Sequence, residues 1–237
     1  RKNMIIRKSV NLSKQTHIIA ANIDQAILII TLQSPLTTTG FIDRFLVSAK
    51  AFGVEVILFF NKVDLYNKKL LSQKENLMRV YSKIGYRCMS LSALYDNMNE
   101  VKSIVKNKNN LISGHSGSGK STLINKLLGN SNILTKEISQ RHDQGQHTTT
   151  FSELYRLDFG GTIIDTPGIK GFGLVNIDLD RLSDFFPEFL SLKEGCKFNN
   201  CRHIKEPNCK VKEALENDQL SKDRYSNYLS MLETEES

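Results

Sequence analysis

The strongest constraint on the fold is the order of three short motifs. Asn61-Lys62-Val63-Asp64 comes first, the stretch Gly114 to Ser121 (GHSGSGKS) second, and Asp165-Thr166-Pro167-Gly168 third. The second matches G-x-x-x-x-G-K-S over its full length. It stands between a strand-like Leu111–Ser113 and a helix-like Ser121–Leu128, the context in which that pattern builds a phosphate loop. Chains that carry all three motifs ordinarily run phosphate loop, D-x-x-G, N-K-x-D. Bringing N-K-x-D to the front without breaking the sheet requires a circular permutation. Strands then keep their neighbours in space and change their order along the chain.

The hydrophobic pattern supplies a sheet to permute. The run Ala26–Leu32 and the stretch Val54–Phe60 are apolar at nearly every position, as in parallel strands covered on both faces. Helices are expected at Phe41–Phe52, capped by Thr38 or Thr39 and stopped by Gly53, and at Ser72–Ile84 and Met98–Lys106. Tyr86–Ser90, Phe151–Leu157 and Gly161–Ile164 read as strands, and Met4–Val10 as a strand or the tail of an upstream domain. This alternation predicts an α/β fold, a mostly parallel sheet with helices on both faces. After Asp180 the pattern changes to a short helix at Leu182–Leu190 interrupted by Pro187, a cysteine cluster, and helices at Val211–Leu215 and Arg224–Leu232. The expected division is 1–18 as remnant or linker of an upstream domain, 19–178 as the α/β domain, and 179–237 as a small, mostly helical module. Because the chain starts at Arg1 rather than Met, it is expected to be a fragment.

Charge narrows the partners. The formal net charge is +7 and the pI about 9.2. Arg1, Lys2, Arg7, Lys8 and Lys14 precede any acid, and Lys102, Lys106 and Lys108 form a second group. This suits a polyanionic partner, although an ordinary basic soluble protein has the same balance. No apolar run reaches the ~18 residues of a membrane span, and no secretory signal leads the chain.

The motif chemistry points to a nucleotide. Gly114, Gly117 and Gly119 let backbone amides turn toward phosphates without Cβ clashes. His115, Ser116 and Ser118 fill the variable loop positions. Lys120 is expected on the β- and γ-phosphates and Ser121, followed by Thr122, on Mg²⁺. Asp165 ends a strand and is expected to hold the same Mg²⁺, with the Gly168 amide on the γ-phosphate. Between them lies Gly145-Gln146-His147-Thr148-Thr149-Thr150. One of its threonines, here Thr149, is expected over the metal as a switch; a threonine-rich strand edge is the structural alternative. Ile169 stands where many such enzymes place a water-orienting glutamine. His147 is the candidate to orient water, with Gln144 and Gln146 as rivals and loop packing as the plain alternative.

Asn61, Lys62 and Asp64 choose the base. The Asp64 carboxylate accepts from a guanine ring N–H and its exocyclic amine, a pair adenine cannot form. Asn61 fixes the loop and touches the base edge, the Lys62 stem covers the ring, and Ser92-Ala93 places the Ala93 amide toward the guanine oxygen. Elsewhere, Cys196, Cys201, His203 and Cys209 supply three thiolates and one imidazole in a polar loop. That is a closed structural zinc set, one ion per chain, which stands in for the missing hydrophobic core. Cys88, by contrast, reads as a small buried residue.

The ordered series NKVD, SAL, GHSGSGKS, GQHTTT, DTPG and Cys-Cys-His-Cys resembles the ribosome small-subunit-dependent GTPase A family. So do IIAANIDQAILI, GFIDRFL and NCKVKEAL…RYSNYLSML, from about residue 18 onward. The resemblance implies a circularly permuted P-loop GTPase with a zinc-binding carboxyl-terminal domain. It would be a cytoplasmic monomer that binds the small ribosomal subunit and its rRNA and assists late maturation. From the motif order itself, the Asp165–Gly168 element leads through Ile169 to Leu182 straight into the zinc module, so GTP state is expected to be coupled to movement of that domain. The resemblance also implies an upstream OB-fold domain, of which this chain keeps at most the last strand. It aligns His147 with the family's switch histidine and Cys196, Cys201, His203 and Cys209 with its zinc ligands. The alternative is a zinc-containing rRNA-binding module in which nucleotide is mainly structural.

Overall fold

The two apolar runs fold as strands buried on both faces. In β3 (Gln25–Ile30), Ala26, Leu28 and Ile30 enter one core while Ile27 and Ile29 enter another. In β4 (Glu55–Phe60), Val56, Leu58 and Phe60 join the first core and Ile57 and Phe59 the second. A strand can be apolar at successive positions only when helices cover both faces. The computed structural model describes residues 3–8, 16–129, 153–166, 174 and 177–236.

The first core is closed by α1 (Thr39–Ala51) through Ile42, Phe45, Leu46 and Ala49, and by α2 (Lys68–Lys83) through Tyr81. The second is closed by α3 (Asn99–Val105) through Val101, Ile104 and Val105, and by α4 (Lys120–Leu128) through Leu123, Ile124 and Leu127. With β5 (Arg87–Ser90), β6 (Asn109–Gly114), β7 (Glu153–Arg156) and β8 (Thr162–Asp165), the sheet runs β5-β4-β3-β6-β8-β7. Neighbours from β5 to β8 are parallel. Only β7, paired antiparallel with β8, departs from this among the six strands.

Local chemistry moves some boundaries. Thr38 caps α1 by accepting the Phe41 N–H at 3.2 Å. α2 starts at Lys68, ahead of the expected Ser72, because Asn67 accepts the Leu70 N–H at 3.0 Å and caps it. The expected helix Leu182–Leu190 is two elements: a 3₁₀ helix Leu179–Phe185 and α5 (Pro187–Lys193). Pro187 opens the second, the helix position where its missing N–H costs nothing. The amino end holds a strand the sequence reading lacks, β2 (Thr16–Ala21), paired antiparallel with β1 (Met4–Lys8).

The carboxyl-terminal residues make a third core. Leu182, Phe186 and Phe189 pack with Val211 and Ala214 of α6 (Lys210–Glu216) and Tyr228, Met231 and Leu232 of α7 (Lys222–Glu236). Val47 of α1 belongs to the same core, so this module is seated on the α/β layer. A buried ionic junction crosses that seam. Arg224 of α7 binds Asp43 of α1 and Glu188 of α5. Tyr81 Oη donates to Asp43 Oδ1 at 2.9 Å, and Asn227 Nδ2 donates to Oδ2 at 2.6 Å. Among the described residues, no helix is long and apolar enough to cross a membrane.

Candidate nucleotide site and metal centre

The carboxyl ends of the parallel strands lie along one edge. β6, in the middle, runs directly into the glycine-rich loop, and α4 leaves it at Lys120. Ligand crevices form at this edge in open α/β sheets. Two loop glycines are required. Gly114 has φ +150°, and a Cβ there would lie 2.7 Å from the Ile29 carbonyl oxygen. Gly119 has φ +98°, and its Cβ would lie 2.3 Å from Asn61 Nδ2.

Lys120 is 8% exposed, and its Nζ donates to the carbonyls of Gly114 at 2.8 Å and His115 at 2.9 Å. The loop is thus wound around its own cation. Burial lowers the Lys120 pKa, opposed by Asp165. Burial also pushes the Asp165 carboxyl up to about 6, against the pull of Lys120 and with help from Glu153. Asp165 Oδ1 is buried and has no hydrogen-bond partner among the described residues. A half-desolvated acid with a bare oxygen beside a phosphate loop, with Ser121 in the first turn of α4, suits a hard cation and its oxygen ligands.

The base side is built around Asn61, which is 2% exposed. Its Nδ2 donates to the Ser118 carbonyl at 2.8 Å, and its Oδ1 accepts the Ala93 N–H at 2.8 Å. One side chain therefore ties the N-K-x-D loop to the phosphate loop and to the loop after β5. The Ala93 amide, expected to face a base oxygen, is spent on Asn61 in this arrangement. Lys62 has φ +62°, and its Nζ donates to the Ser34 carbonyl at 2.5 Å. Asp64 is exposed on a 3₁₀ turn, Val63–Leu65. The loop after β5 is braced twice: Asp96 Oδ2 accepts the Ser92 N–H at 2.7 Å, and Lys126 Nζ donates to the Leu94 carbonyl at 2.6 Å.

Sequence reasoning missed two contributors. The segment 31–38 after β3 carries no motif in the sequence. It takes the Lys62 contact, sets Pro35 beside Gly117, and leads into Phe41, whose ring lies 4.2 Å from that of His115. Tyr66, just beyond the N-K-x-D motif, is buried against the same junction. No spacing rule marks either. Of the expected residues, His147, Thr149 and Gly168, with the rivals Gln144 and Gln146, lie outside the described residues.

The four candidate zinc ligands do converge. The ligating atoms of Cys196, Cys201, His203 and Cys209 all lie within 4.8 Å of one another. His203 Nδ1 is 3.3 Å from Cys209 Sγ and 3.7 Å from Cys196 Sγ. Tetrahedral bonds of about 2.3 Å place sulfurs roughly 3.8 Å apart, so the set fits a metal ion. Burial lowers the His203 pKa, keeping the imidazole neutral as a ligand, and raises those of Cys201 and Cys209, whose thiolates need a cation. The backbone is held independently. Tyr225 Oη donates to the His203 carbonyl at 2.7 Å, and the Tyr228 hydroxyl to that of Arg202 at 2.6 Å. The Glu206 carboxylate accepts the N–H groups of Arg202, Ile204 and Lys205.

The family model for RsgA GTPase matches residues 1–175. The chain belongs to the RsgA GTPase family. It is 54% identical, over 98% of its length, to the small ribosomal subunit biogenesis GTPase RsgA of Flavobacterium psychrophilum, spanning 72% of that protein. It is 50% identical to RsgA 2 of Bacteroides thetaiotaomicron over its whole length, spanning 76% of that one. Its structure matches the crystal structure of YjeQ from Thermotoga maritima with a TM-score of 0.77 at 34% identity, covering 99% of this chain and 75% of that one. It also matches YloQ, described as a circularly permuted GTPase, with a TM-score of 0.73 at 28% identity, covering 99% and 72%. As an RsgA GTPase, the chain is a permuted GTP hydrolase, and the motif order follows from that. β3, the first strand of this sheet in the chain, pairs directly with β6, which carries the phosphate loop, and β4 lies on the other side of β3.

Proposed function

We propose that this chain binds GTP at the edge where β3, β4, β5, β6 and β8 end and hydrolyses it in the service of small-ribosomal-subunit maturation in the cytoplasm. The junction at Asn61 carries this reading: one buried amide fixes the phosphate loop and the base loop together and leaves the Asp64 carboxylate exposed. Asp64 accepts from the guanine N–H and amine, while Asn61, with a second Nδ2 hydrogen to give, and the Lys62 stem line the base. Amides from Gly114 to Thr122 cradle the phosphates, and Lys120 leaves its two carbonyls for phosphate oxygens. Ser121, Thr149 and Asp165 would hold Mg²⁺, which supplies charge neutralisation at the phosphates. The Gly168 amide meets the γ-phosphate, and His147 orients the attacking water.

Zinc at Cys196, Cys201, His203 and Cys209 is structural, since four protein ligands close its shell. Residues 19–178 act as the GTPase domain and 179–237 as the zinc domain, with 1–18 as an upstream remnant or linker. The partners are the small subunit and its rRNA, met by a monomer. The coupling of nucleotide to the zinc domain runs through α1. Its Asp43 is locked to Arg224 and its Phe41 lies on His115, so a displaced zinc domain carries α1 and presses on the phosphate loop.

Exchanging Asp64 for Asn tests the base assignment. Asn donates an N–H where Asp accepts, so it suits xanthine, which has a carbonyl at the position of the guanine amine. Asp64→Asn is expected to weaken GTP at least ~10-fold and to strengthen XTP, since each mispaired polar contact costs about 1–3 kcal/mol. Unchanged GTP affinity would remove Asp64 from the base site.

A further inference from the structure

Tyr66 lies immediately after the 3₁₀ turn that carries Asp64 and is 8% exposed. Its hydroxyl is used in both directions. It donates to the Asn61 carbonyl at 2.8 Å and accepts the Leu32 N–H at 2.8 Å. Leu32 belongs to the segment after β3, so one phenol bridges the ends of two adjacent parallel strands. The Asn61 N–H also donates to the Ile30 carbonyl at 2.8 Å. With its side chain on Ser118 and Ala93, Asn61 is therefore held at both backbone groups as well as both side-chain groups. A second, exposed brace runs parallel: Gln33 Nε2 donates to the Leu65 carbonyl at 2.7 Å.

We propose that Tyr66 is a positioning residue for guanine selection, its hydroxyl setting the height of the Asn61–Asp64 turn above the phosphate loop. A hydroxyl that donates one hydrogen bond and accepts another has its oxygen fixed, and through it the Asn61 carbonyl, to within the narrow range that good geometry allows. The contact donated to the Asn61 carbonyl also requires that the group stay a phenol rather than a phenolate. Burial, with Asp64 adding to it, raises the Tyr66 pKa, and the Leu32 N–H only partly offsets this. The segment 31–38 becomes the far anchor of the base site: Tyr66 and Gln33 tie it to the turn, and Lys62 ties it to the base-covering side chain.

The inference rests on the guanine assignment made above, and the test separates the two. GDP and IDP differ only in the exocyclic amine that pairs with Asp64. Their affinity ratio therefore reports the position of the turn and is indifferent to the phosphate loop. In the wild-type chain GDP should bind more tightly than IDP; equal binding would defeat the guanine assignment itself. Tyr66→Phe keeps the ring that fills the core and removes only the oxygen. It is expected to lower the GDP/IDP ratio at least ~5-fold by stranding two buried backbone groups, and to raise KM for GTP with kcat at saturation little changed. Gln33→Ala, at the exposed brace, cannot unfold the chain and should lower the ratio about 2-fold, as loss of one exposed hydrogen bond implies. A ratio unchanged in both variants, even with a lower melting temperature, would make Tyr66 a packing residue and overturn the proposal.

Discussion

Replacing Arg224 with Met tests how the zinc domain is joined to the GTPase layer. The side chains of Arg224 and Asp43 are 3% and 0% exposed. Burial pushes the Asp43 carboxyl above its usual range even with the guanidinium, Asn227 and Tyr81 against it. Burial opposes the Arg224 charge, but Asp43 and Glu188 outweigh it and hold the guanidinium protonated. Met fills similar volume and removes the cation, leaving Asp43 with two neutral donors and Glu188 without its bidentate partner. Breaking one side of a buried pair costs about 3–5 kcal/mol. Asp43→Asn removes the other side. Because each single change strands the same contact, the double variant should be less destabilised than the sum, by about 2–3 kcal/mol. Urea unfolding of the four proteins reads the cycle. The pH dependence follows from the sign of the shift. A carboxyl whose folded pKa lies above its ordinary value favours the folded chain when protonated. It loses that advantage as pH rises from near the ordinary value of 3.8 through the folded pKa. Removing Arg224 raises the folded value further, so the deficit of Arg224→Met should be largest where Asp43 is ionised, at high pH, and shrink as pH falls toward 3.8. Additive single effects, or a deficit that does not vary with pH, would mean that Asp43 and Arg224 do not act as a pair.

Two other outcomes are expected. Chelation, or Cys209→Ser, should release one zinc per chain by metal analysis and melt the module of α5, α6 and α7 before the sheet, because apo thiols are left crowded and uncompensated. A metal-free chain with that module intact would contradict the assignment. His147→Ala should leave GTP affinity intact and slow turnover at least ~10-fold, the low end for loss of a general base or water-orienting group; unchanged turnover would shift the role to another residue.

What the sequence revealed and hid follows from the range of each interaction. β3 and β4 were legible because burial on both faces leaves an unbroken apolar run. The phosphate loop was legible because its glycines and Lys120 stand at fixed spacing next to one another. The convergence of Cys196, Cys201, His203 and Cys209 was legible because these rare residue types stand together within a short loop. By contrast, Asp43 and Arg224 lie 181 positions apart, and nothing in either neighbourhood marks an ionic partner. The Tyr66 hydroxyl is equally silent, since its two partners are backbone groups that every residue carries. β2 was hidden because Thr16 and His17 follow a polar, basic stretch without the alternation of a half-buried strand. The early start of α2 was hidden by Lys68 and Lys69, which show no apolar stripe, while its true signal was the capping Asn67. The Asn61 Oδ1 contact to the Ala93 N–H was equally hidden, since a backbone amide carries no mark in the sequence.

The central claim is that this permuted sheet hydrolyses GTP on the small ribosomal subunit. Steady-state phosphate release from GTP, with and without purified small subunits and with ATP in parallel, tests it most directly. GTP turnover is expected to rise at least ~10-fold with the subunit, as completion of a GTPase site by a partner commonly does, with ATP left intact. GTP turnover indifferent to the subunit, or ATP hydrolysed equally well, would contradict it.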